Sequence, residues 1–121
     1  MPGFSDFSVE WGKIIHNGKE FGDMLFIAGK ALERDRDRIK QQYGTAHVVD
    51  EKEAALLLEG KPKEVIIGNG FEGVLQLLPE ARKLIEAKAK LTITHSPEAI
   101  ALLNEKLEKG EKVNALIHTT C

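Results

Sequence analysis

Cysteine is nearly absent from this chain, because Cys121 is the single cysteine among its 121 residues. One cysteine excludes an intramolecular disulfide and suits a protein that stays in a reducing compartment. The chain also lacks an apolar run of the ~20 residues that a bilayer-spanning helix needs. Its first six residues, Met1 to Asp6, have neither the basic cluster nor the apolar core of a signal peptide. These absences together predict a cytoplasmic protein without a membrane span.

An excess of charge of either sign is missing as well. The chain has 17 basic and 19 acidic residues, which gives a formal net charge of -2 and a pI of about 6.1. A balanced chain has no general attraction for nucleic acid or anionic lipid, and no basic stripe with interleaved aromatic residues is found. We therefore expect no nucleic-acid partner. The length suits one domain over residues 1–121.

Residues 4 to 35 carry a β pattern. Residues 7–11 alternate between apolar and polar or small side chains, which is typical of a half-buried strand. Asn17-Gly18 predicts a hairpin turn, because both residue types tolerate positive φ. We expect the return strand to include Phe21 and to continue through residues 24–28.

A run of alternating charges, Arg-Asp-Arg-Asp-Arg, follows at residues 34–38. In a strand, this spacing places the three arginines on one side and the two aspartates on the other. We expect a solvated polar edge whose charges compensate one another. A small anion site built on the arginines is the alternative.

Three helices are expected in the rest of the chain, beginning near Asp50, Pro79 and Ser96. Asp50 and the Glu three positions later form a capping box, Pro79 suits the first helical position, and Ser96 suits the N-cap. Short apolar runs alternate with these helices and predict strands joined by parallel crossovers. The runs are residues 65–67, 91–94 and 113–119. The predicted fold class is therefore α/β, with an N-terminal β-hairpin section followed by α/β units.

The glycines at 68, 70 and 73 follow a buried strand with the spacing of a dinucleotide-binding fingerprint. That fingerprint requires a helix that opens inside the glycine motif, whereas the next helix is expected at Pro79. The next strand also ends in His95-Ser96-Pro97, without the acidic residue that would hold a ribose, and no Gly-Lys-Ser or Gly-Lys-Thr occurs. No cofactor is therefore predicted. The loop is either a structural turn or the wall of a ligand pocket.

A cysteine–histidine pair requires a thiol within hydrogen-bond reach of an imidazole. As the last residue, Cys121 carries a carboxylate that disfavours the thiolate, and in a strand it faces the opposite side from His118. Only His47 or His95 remains as its partner. A metal site of these two histidines and Cys121 matches no known ligand spacing, so no metal is predicted. His16 is expected to be an exposed hairpin residue.

Three segments resemble a known family: Tyr43-Gly44-Thr45-Ala46-His47, Val65 to Gly70, and Leu116 to Cys121 with its His-x-Thr-Cys ending. Their order and spacing are similar to those of the small domain family of the adipogenesis-associated protein. That family also includes a mitochondrial assembly factor for the respiratory NADH dehydrogenase and many prokaryotic proteins of unknown function. The resemblance covers almost the whole chain and is strongest to the prokaryotic members.

The resemblance implies a three-layer α/β domain with a central mixed β-sheet flanked by helices, and it implies no established reaction. Together with the absence of a catalytic set, it favours a non-enzymatic interaction or assembly factor with a protein partner. The alternative is a small-molecule-binding domain or enzyme with a pocket near the Gly68-Asn69-Gly70 loop. The candidate site residues are Tyr43, Gly44, Thr45, His47, Gly68, Asn69, Gly70, Phe71, His95, His118 and Cys121.

Overall fold

The computed structural model describes residues 5–121. Residues 1–4, which include the start of the predicted β section and of the segment tested for a signal peptide, lie outside the described residues. The strands are β1 (Ser8–Glu10), β2 (Lys13–His16), β3 (Lys19–Phe21), β4 (Met24–Ile27), β5 (Lys30–Glu33), β6 (Val48–Val49), β7 (Glu64–Gly68), β8 (Gln76–Leu77), β9 (Lys90–Thr94) and β10 (Val113–Ile117). The helices are α1 (Arg36–Tyr43), α2 (Glu51–Leu57), α3 (Pro79–Glu86) and α4 (Ser96–Glu108).

The central sheet has five strands in the order β5-β4-β10-β7-β9. β10, β7 and β9 are parallel to one another, whereas β4 is antiparallel to β10 and β5 is antiparallel to β4. Every residue of β4, β7 and β10 is buried. Strands covered on both faces carry nearly continuous apolar runs, which is the pattern these segments show in the sequence. The predicted mixed sheet is confirmed.

Two apolar cores lie on opposite faces of this sheet. On one face, α4 and the antiparallel sheet β1-β2-β3 pack against Phe26, Ile66 and Ala115. On the other face, α2 and α3 pack against Val65 and Ile67, the neighbours of Ile66 along β7. Successive residues of a strand point to opposite faces, so each central strand contributes to both cores. The three-layer α/β prediction is confirmed.

The N-terminal section differs from its prediction in one respect. Asn17 and Gly18 form the expected tight turn, with φ of 53° and 78°, but the return strand ends at Phe21. β3 pairs with β2, while β4 belongs to the central sheet, so the prediction of one continuous strand is wrong. Gly22 and Asp23 separate the two strands and carry the chain from one layer to the next.

Residues 34–38 also differ from the prediction of a strand. Residues 36–38 are the first residues of α1, a helix that the sequence pattern did not indicate. Asp35 caps it by accepting a hydrogen bond from the Arg38 amide at 3.2 Å, and Gly44 ends it with φ of 77°. Ile39 is the only buried residue of α1, so the helix has almost no apolar periodicity to reveal it.

The three predicted helix starts are confirmed with one change. Asp50 caps α2 by accepting from the Glu53 amide at 3.0 Å, and α3 begins at Pro79. α4 begins at Ser96 itself, so His95 occupies the N-cap position and offers no side-chain cap. The Ser96 hydroxyl is directed elsewhere, as described below. Among residues 5–121, no helix combines the length and the apolar character that crossing a bilayer would require.

His16 is not the exposed residue that its hairpin position suggested. Its Nδ1 lies 2.7 Å from Asp6 Oδ1, and its ring stacks on Phe7 with centroids 3.9 Å apart. The imidazole therefore covers one end of the apolar core under the three-stranded sheet.

Asn114 connects three parts of the fold from the middle of β10, where it is 2% exposed. Its Oδ1 accepts from the Ala28 amide at 3.0 Å, and its Nδ2 donates to the carbonyls of Leu57 and Glu59, both at 2.8 Å. One side chain thus satisfies backbone groups of the β4–β5 turn and of the chain that leaves α2.

Replacing Asn114 with Ala should lower the free energy of unfolding by about 2–4 kcal/mol, because buried backbone groups lose their partners. Asn104→Ala is the matched control. Within residues 5–121, Asn104 bonds to the backbone of Phe7 alone, and it is partly buried, so its loss should be smaller. Urea unfolding of the two variants measures the difference. Equal losses would contradict the role assigned to Asn114.

Candidate functional site

Polar residues meet at one end of the central sheet because the strand register aligns them. Met24 pairs with both Glu33 and Ile117. Ile117 pairs in turn with Gly68, which pairs with Thr94. One position beyond each of these strand ends lies a polar residue. These five residues are Asp23, Arg34, His118, Asn69 and His95.

Arg34 lies at the centre of this cluster and is 2% exposed. Its Nε and Nη2 donate to the two oxygens of Glu53 at 2.8 and 2.9 Å, and its Nη1 donates to Asp23 Oδ2 at 3.0 Å. Nη1 also donates to the carbonyl of Ala46 at 2.9 Å, and Nη2 donates to that of Val48 at 2.6 Å. A guanidinium has five N–H donors, and all five are engaged. The prediction that Arg34 lies on a solvated polar edge is therefore wrong, and so is the alternative prediction that Arg34 helps to form an anion site.

Asp23 extends the network to the C-terminal segment. Its Oδ1 accepts from the amide and the hydroxyl of Thr119 at 2.9 and 3.1 Å, and its Oδ2 lies 2.8 Å from His118 Nδ1. Burial favours the neutral acid, but the bonds from His118 and Thr119 and the charge of Arg34 outweigh it and lower the pKa of Asp23 to about 2. The side chain is therefore a carboxylate at neutral pH.

His118 is enclosed, with 1% of its surface exposed. Its Nε2 lies 3.1 Å from Thr120 Oγ1, and its ring meets that of His47 edge to face with centroids 5.0 Å apart. Two hydrogen bonds hold the His47 backbone: its amide donates to Thr45 Oγ1, and its carbonyl accepts from Gln76. Burial is the main cause that lowers the pKa of His47.

The glycine loop holds the segment that follows His118. The amide of Phe71 donates to the carbonyl of Thr120 at 2.8 Å, and those of Glu72 and Val74 donate to the Cys121 oxygen at 3.0 Å. Gly70 has φ of 106°, and a Cβ placed there would lie 2.3 Å from the Cys121 carbonyl. Glycine is thus required at position 70 by both its backbone conformation and the close approach of Cys121.

Ser96 joins the loop to the end of β10. Its hydroxyl donates to the His118 carbonyl at 2.5 Å and accepts from the Gly70 amide at 2.9 Å. The predicted N-cap role is wrong because these two partners take the hydroxyl instead. The nearby Asn69 Oδ1 is buried and has no hydrogen-bond partner within residues 5–121.

The three family-like segments meet only in part. His47, Gly70 and Phe71 come together with His118 and Cys121. Tyr43 points away and donates to Asp50 Oδ2 at 3.0 Å, while Gly44 ends α1 and Thr45 binds the His47 amide. Gly68 closes β7 against Ser96, and His95 is exposed beside Gly73. That these residues form a binding site remains a prediction.

Two concavities of the structure lie away from these segments. One of about 410 Å³ lies beside α2 and is lined in part by Arg38 and Leu56, and one of about 620 Å³ lies between α2 and α3. Within the described part of the chain, no three His, Cys, Asp or Glu side chains are grouped to hold a metal ion. His47, His95 and Cys121 therefore do not form such a set.

Four residues of the site were missed by sequence reasoning: Asp23, Arg34, Glu53 and Ser96. Asp23 could have been noticed, because it directly precedes a fully apolar strand, which is where buried polar groups at sheet ends occur. Glu53 was assigned to a capping box, yet its two oxygens bind Arg34. No local pattern indicates that Arg34 is buried.

The depressed pKa values predict how stability depends on pH. The pKa values of both Asp23 and Asp50 are lowered from 3.8 to about 2. A carboxyl whose pKa falls on folding stabilises the protein above its unfolded-state pKa, and this contribution is lost as pH falls toward the folded-state value. The urea midpoint should therefore drop between about pH 4 and pH 2. Asp50→Asn keeps the cap but cannot titrate, so its midpoint should drop less steeply; a slope equal to that of the parent would contradict the assignment.

The close approach at Gly70 predicts a second difference in stability. Gly70→Ala should cost about 1–3 kcal/mol more than Gly110→Ala, because the new methyl group collides with Cys121. Gly110 is the matched control, since it also has a positive φ, 74°, but a Cβ there meets nothing within 4 Å. Thermal or urea unfolding gives both values. Equal losses would show that only backbone strain matters.

The comparison with solved structures identifies two relatives of the same size. The conserved hypothetical protein PH1505 from Pyrococcus horikoshii OT3 is 33% identical, with 94% of this chain and 97% of that chain covered and a TM-score of 0.82. A structure described as MT938 is also 33% identical, with coverage of 95% and 97% and a TM-score of 0.77. A Bordetella pertussis protein described as a Mth938-like domain shares the fold at 17% identity, with coverage of 98% and 89% and a TM-score of 0.66.

The search of curated proteins returned no match. A family model described as a protein of unknown function, DUF498/DUF598, matches residues 7–118. That match includes the whole central sheet and every polar residue of the cluster from Asp23 to His118. The chain therefore belongs to the DUF498/DUF598 family.

Proposed function

We propose that this protein is an interaction or assembly factor that binds another protein and needs no chemistry of its own to do so. The sequence resemblance to the family of the adipogenesis-associated protein and of the NADH dehydrogenase assembly factor supports this role. We propose that this chain is a prokaryotic member of the same group. The observation that carries the proposal is an aromatic pair beside the C-terminal segment, made of the exposed Trp11 and the half-buried Phe71.

Trp11 is the most exposed large apolar side chain in the described part of the chain, at 58%. Its ring centroid lies 5.6 Å from that of Phe71. Both residues are fixed against the C-terminal segment, because the Gly12 amide donates to the Thr119 carbonyl and the Phe71 amide donates to that of Thr120, each at 2.8 Å. A Trp side chain has only two rotatable bonds to order on binding, and Trp is enriched among the residues that dominate interface energetics.

The charges around the aromatic pair indicate the chemistry of the partner. Glu10 directly precedes Trp11, Glu72 directly follows Phe71, and both carboxylates are exposed. Lys13 Nζ lies 3.7 Å from carboxylate oxygens of both Glu10 and Glu20, so one ammonium faces two carboxylates and the rim stays acidic. An aromatic centre with an acidic rim is complementary to an apolar side chain flanked by lysine or arginine. We therefore assign the partner as a protein segment of that composition.

The test begins with cross-linking in cells of the native organism, followed by reconstitution with the purified partner. Trp11→Ala should weaken binding ~30-fold, which corresponds to about 2 kcal/mol for a dominant interface residue. Leu32→Ala is the matched control, because Leu32 is also exposed, at 46%, but lies on the edge strand β5. Binding should also weaken as salt is raised, since the rim is charged. A complex that survives Trp11→Ala and is lost in Leu32→Ala would overturn the proposal.

A further inference from the structure

The C-terminal segment contains a second arrangement that partner binding does not use. Asp23 Oδ2 lies 2.8 Å from His118 Nδ1, and His118 Nε2 lies 3.1 Å from Thr120 Oγ1. A carboxylate, an imidazole and a hydroxyl thus stand in line, with both ring nitrogens in hydrogen-bond contact. This is the geometry in which a histidine activates a hydroxyl nucleophile while a carboxylate holds its tautomer.

We propose that Thr120, His118 and Asp23 form a nucleophile–base–carboxylate relay that gives the Thr120 hydroxyl acyl-transfer reactivity toward small esters. The proposal goes beyond the interaction role, which requires only the aromatic surface. In this relay Thr120 and His118 act on the substrate, and Asp23 is a positioning residue.

The carboxylate determines the tautomer of His118. Asp23 is ionised and can only accept a hydrogen bond, so Nδ1 of His118 carries the proton and donates it. In the neutral ring, Nε2 is then the acceptor and receives the hydroxyl proton of Thr120. Arg34 and Thr119 hold the Asp23 oxygens from the other side. The base is therefore oriented before any substrate arrives.

The backbone places the nucleophile and its base together. His118 and Thr120 are two positions apart, and the 3.1 Å contact between His118 Nε2 and Thr120 Oγ1 places their side chains on the same side of the chain. The segment is held at both edges, by Gly12 on Thr119 and by Phe71 on Thr120. A nucleophile on a fixed backbone keeps its distance to the base, which is what proximity catalysis requires.

Thr120 is partly exposed, whereas His118 and Asp23 are buried, so an ester and later a water molecule can approach from the side of the hydroxyl while the carboxylate stays enclosed. The amides of Thr120 and Cys121 donate no hydrogen bond within residues 5–121. They are the donors next to the nucleophile that can stabilise an oxyanion. Phe71 and Trp11 flank the segment, which favours an ester with an aromatic leaving group.

The reaction conserves atoms and charge. Thr120 Oγ attacks the ester carbonyl carbon and transfers its proton to His118 Nε2. The bond between carbonyl carbon and leaving oxygen then breaks, and the imidazolium returns the proton to the departing alcohol. Water hydrolyses the acyl-threonine by the same route, with His118 taking a proton from water and releasing it to Thr120. No oxidant or reductant is needed.

The experiment uses the full chain, an alkyl fluorophosphonate probe and p-nitrophenyl acetate. The fluorophosphonate should form an adduct at Thr120, identified by peptide mass spectrometry, with loss of fluoride. Thr120→Val should abolish the adduct, Thr120→Ser should retain it, and His118→Gln should slow it by about 100-fold, the contribution of a general base. The same order should hold for p-nitrophenyl acetate hydrolysis. Thr94→Val, the same chemical change outside the relay, should behave as the parent.

Two further variants separate reactivity from folding and from thiol chemistry. In Cys121→Ala, which removes the thiol and keeps the backbone amide, the adduct should still map to Thr120. Asp23→Asn should slow labelling and change the ¹⁵N shifts of the His118 ring, because the fixed tautomer is lost. Since Thr120 is partly exposed, Thr120→Val and Thr120→Ser test the relay even if the Asp23 or His118 variants unfold. No adduct, an adduct confined to Cys121 or Tyr43, or undiminished labelling of Thr120→Val would overturn the relay, whatever the outcome of the Trp11 experiment.

Discussion

The buried guanidinium of Arg34 is the interaction on which the rest of the site depends. It satisfies the carboxylates of Asp23 and Glu53 together, and these belong to different layers of the fold. Removing one partner from a buried ion pair leaves an uncompensated charge, which costs about 3–5 kcal/mol, so the three groups act as a unit. Asp23 in turn orients His118 and Thr119, and these position the segment that the glycine loop holds. The geometry around Thr120 therefore depends on the ion pairs that Arg34 makes with Asp23 and Glu53.

Much of the fold could be predicted because its boundaries are marked by local chemistry. Asp50, Pro79 and the Asn17-Gly18 turn identify their element ends through capping and backbone preferences that act over a few residues. Helix α1 escaped prediction because it buries only Ile39 and its charges resemble those of a solvated strand. The break between β3 and β4 was not predicted either. Gly22 and Asp23 are residue types that favour a turn, but they do not show that the strands on either side enter different sheets.

The site was predictable only where its residues belong to the family-like segments. Asp23 and His118 are separated by 95 positions, and Arg34 and Glu53 by 19, so their contacts follow from sheet register and helix packing. No periodicity within the sequence encodes such pairs. The contact between His118 and Thr120 is different, because a spacing of two in an extended segment places both side chains on one side. From the sequence we asked only whether His118 could pair with Cys121, and we did not consider Thr120.

The position of β10 has a consequence for how the chain acquires its structure. β10 is the last strand along the described residues, yet it lies between β4 and β7 at the centre of the sheet. Before residues 113–117 arrive, the β4–β5 and β7–β9 pairs have no strand to join them, and each presents an unpaired apolar edge. Such edges are prone to intermolecular pairing, and contacts between distant positions form slowly. During synthesis, this protein would therefore carry two open sheet halves until nearly all of the described chain has emerged, a period in which a chaperone would be most useful to it.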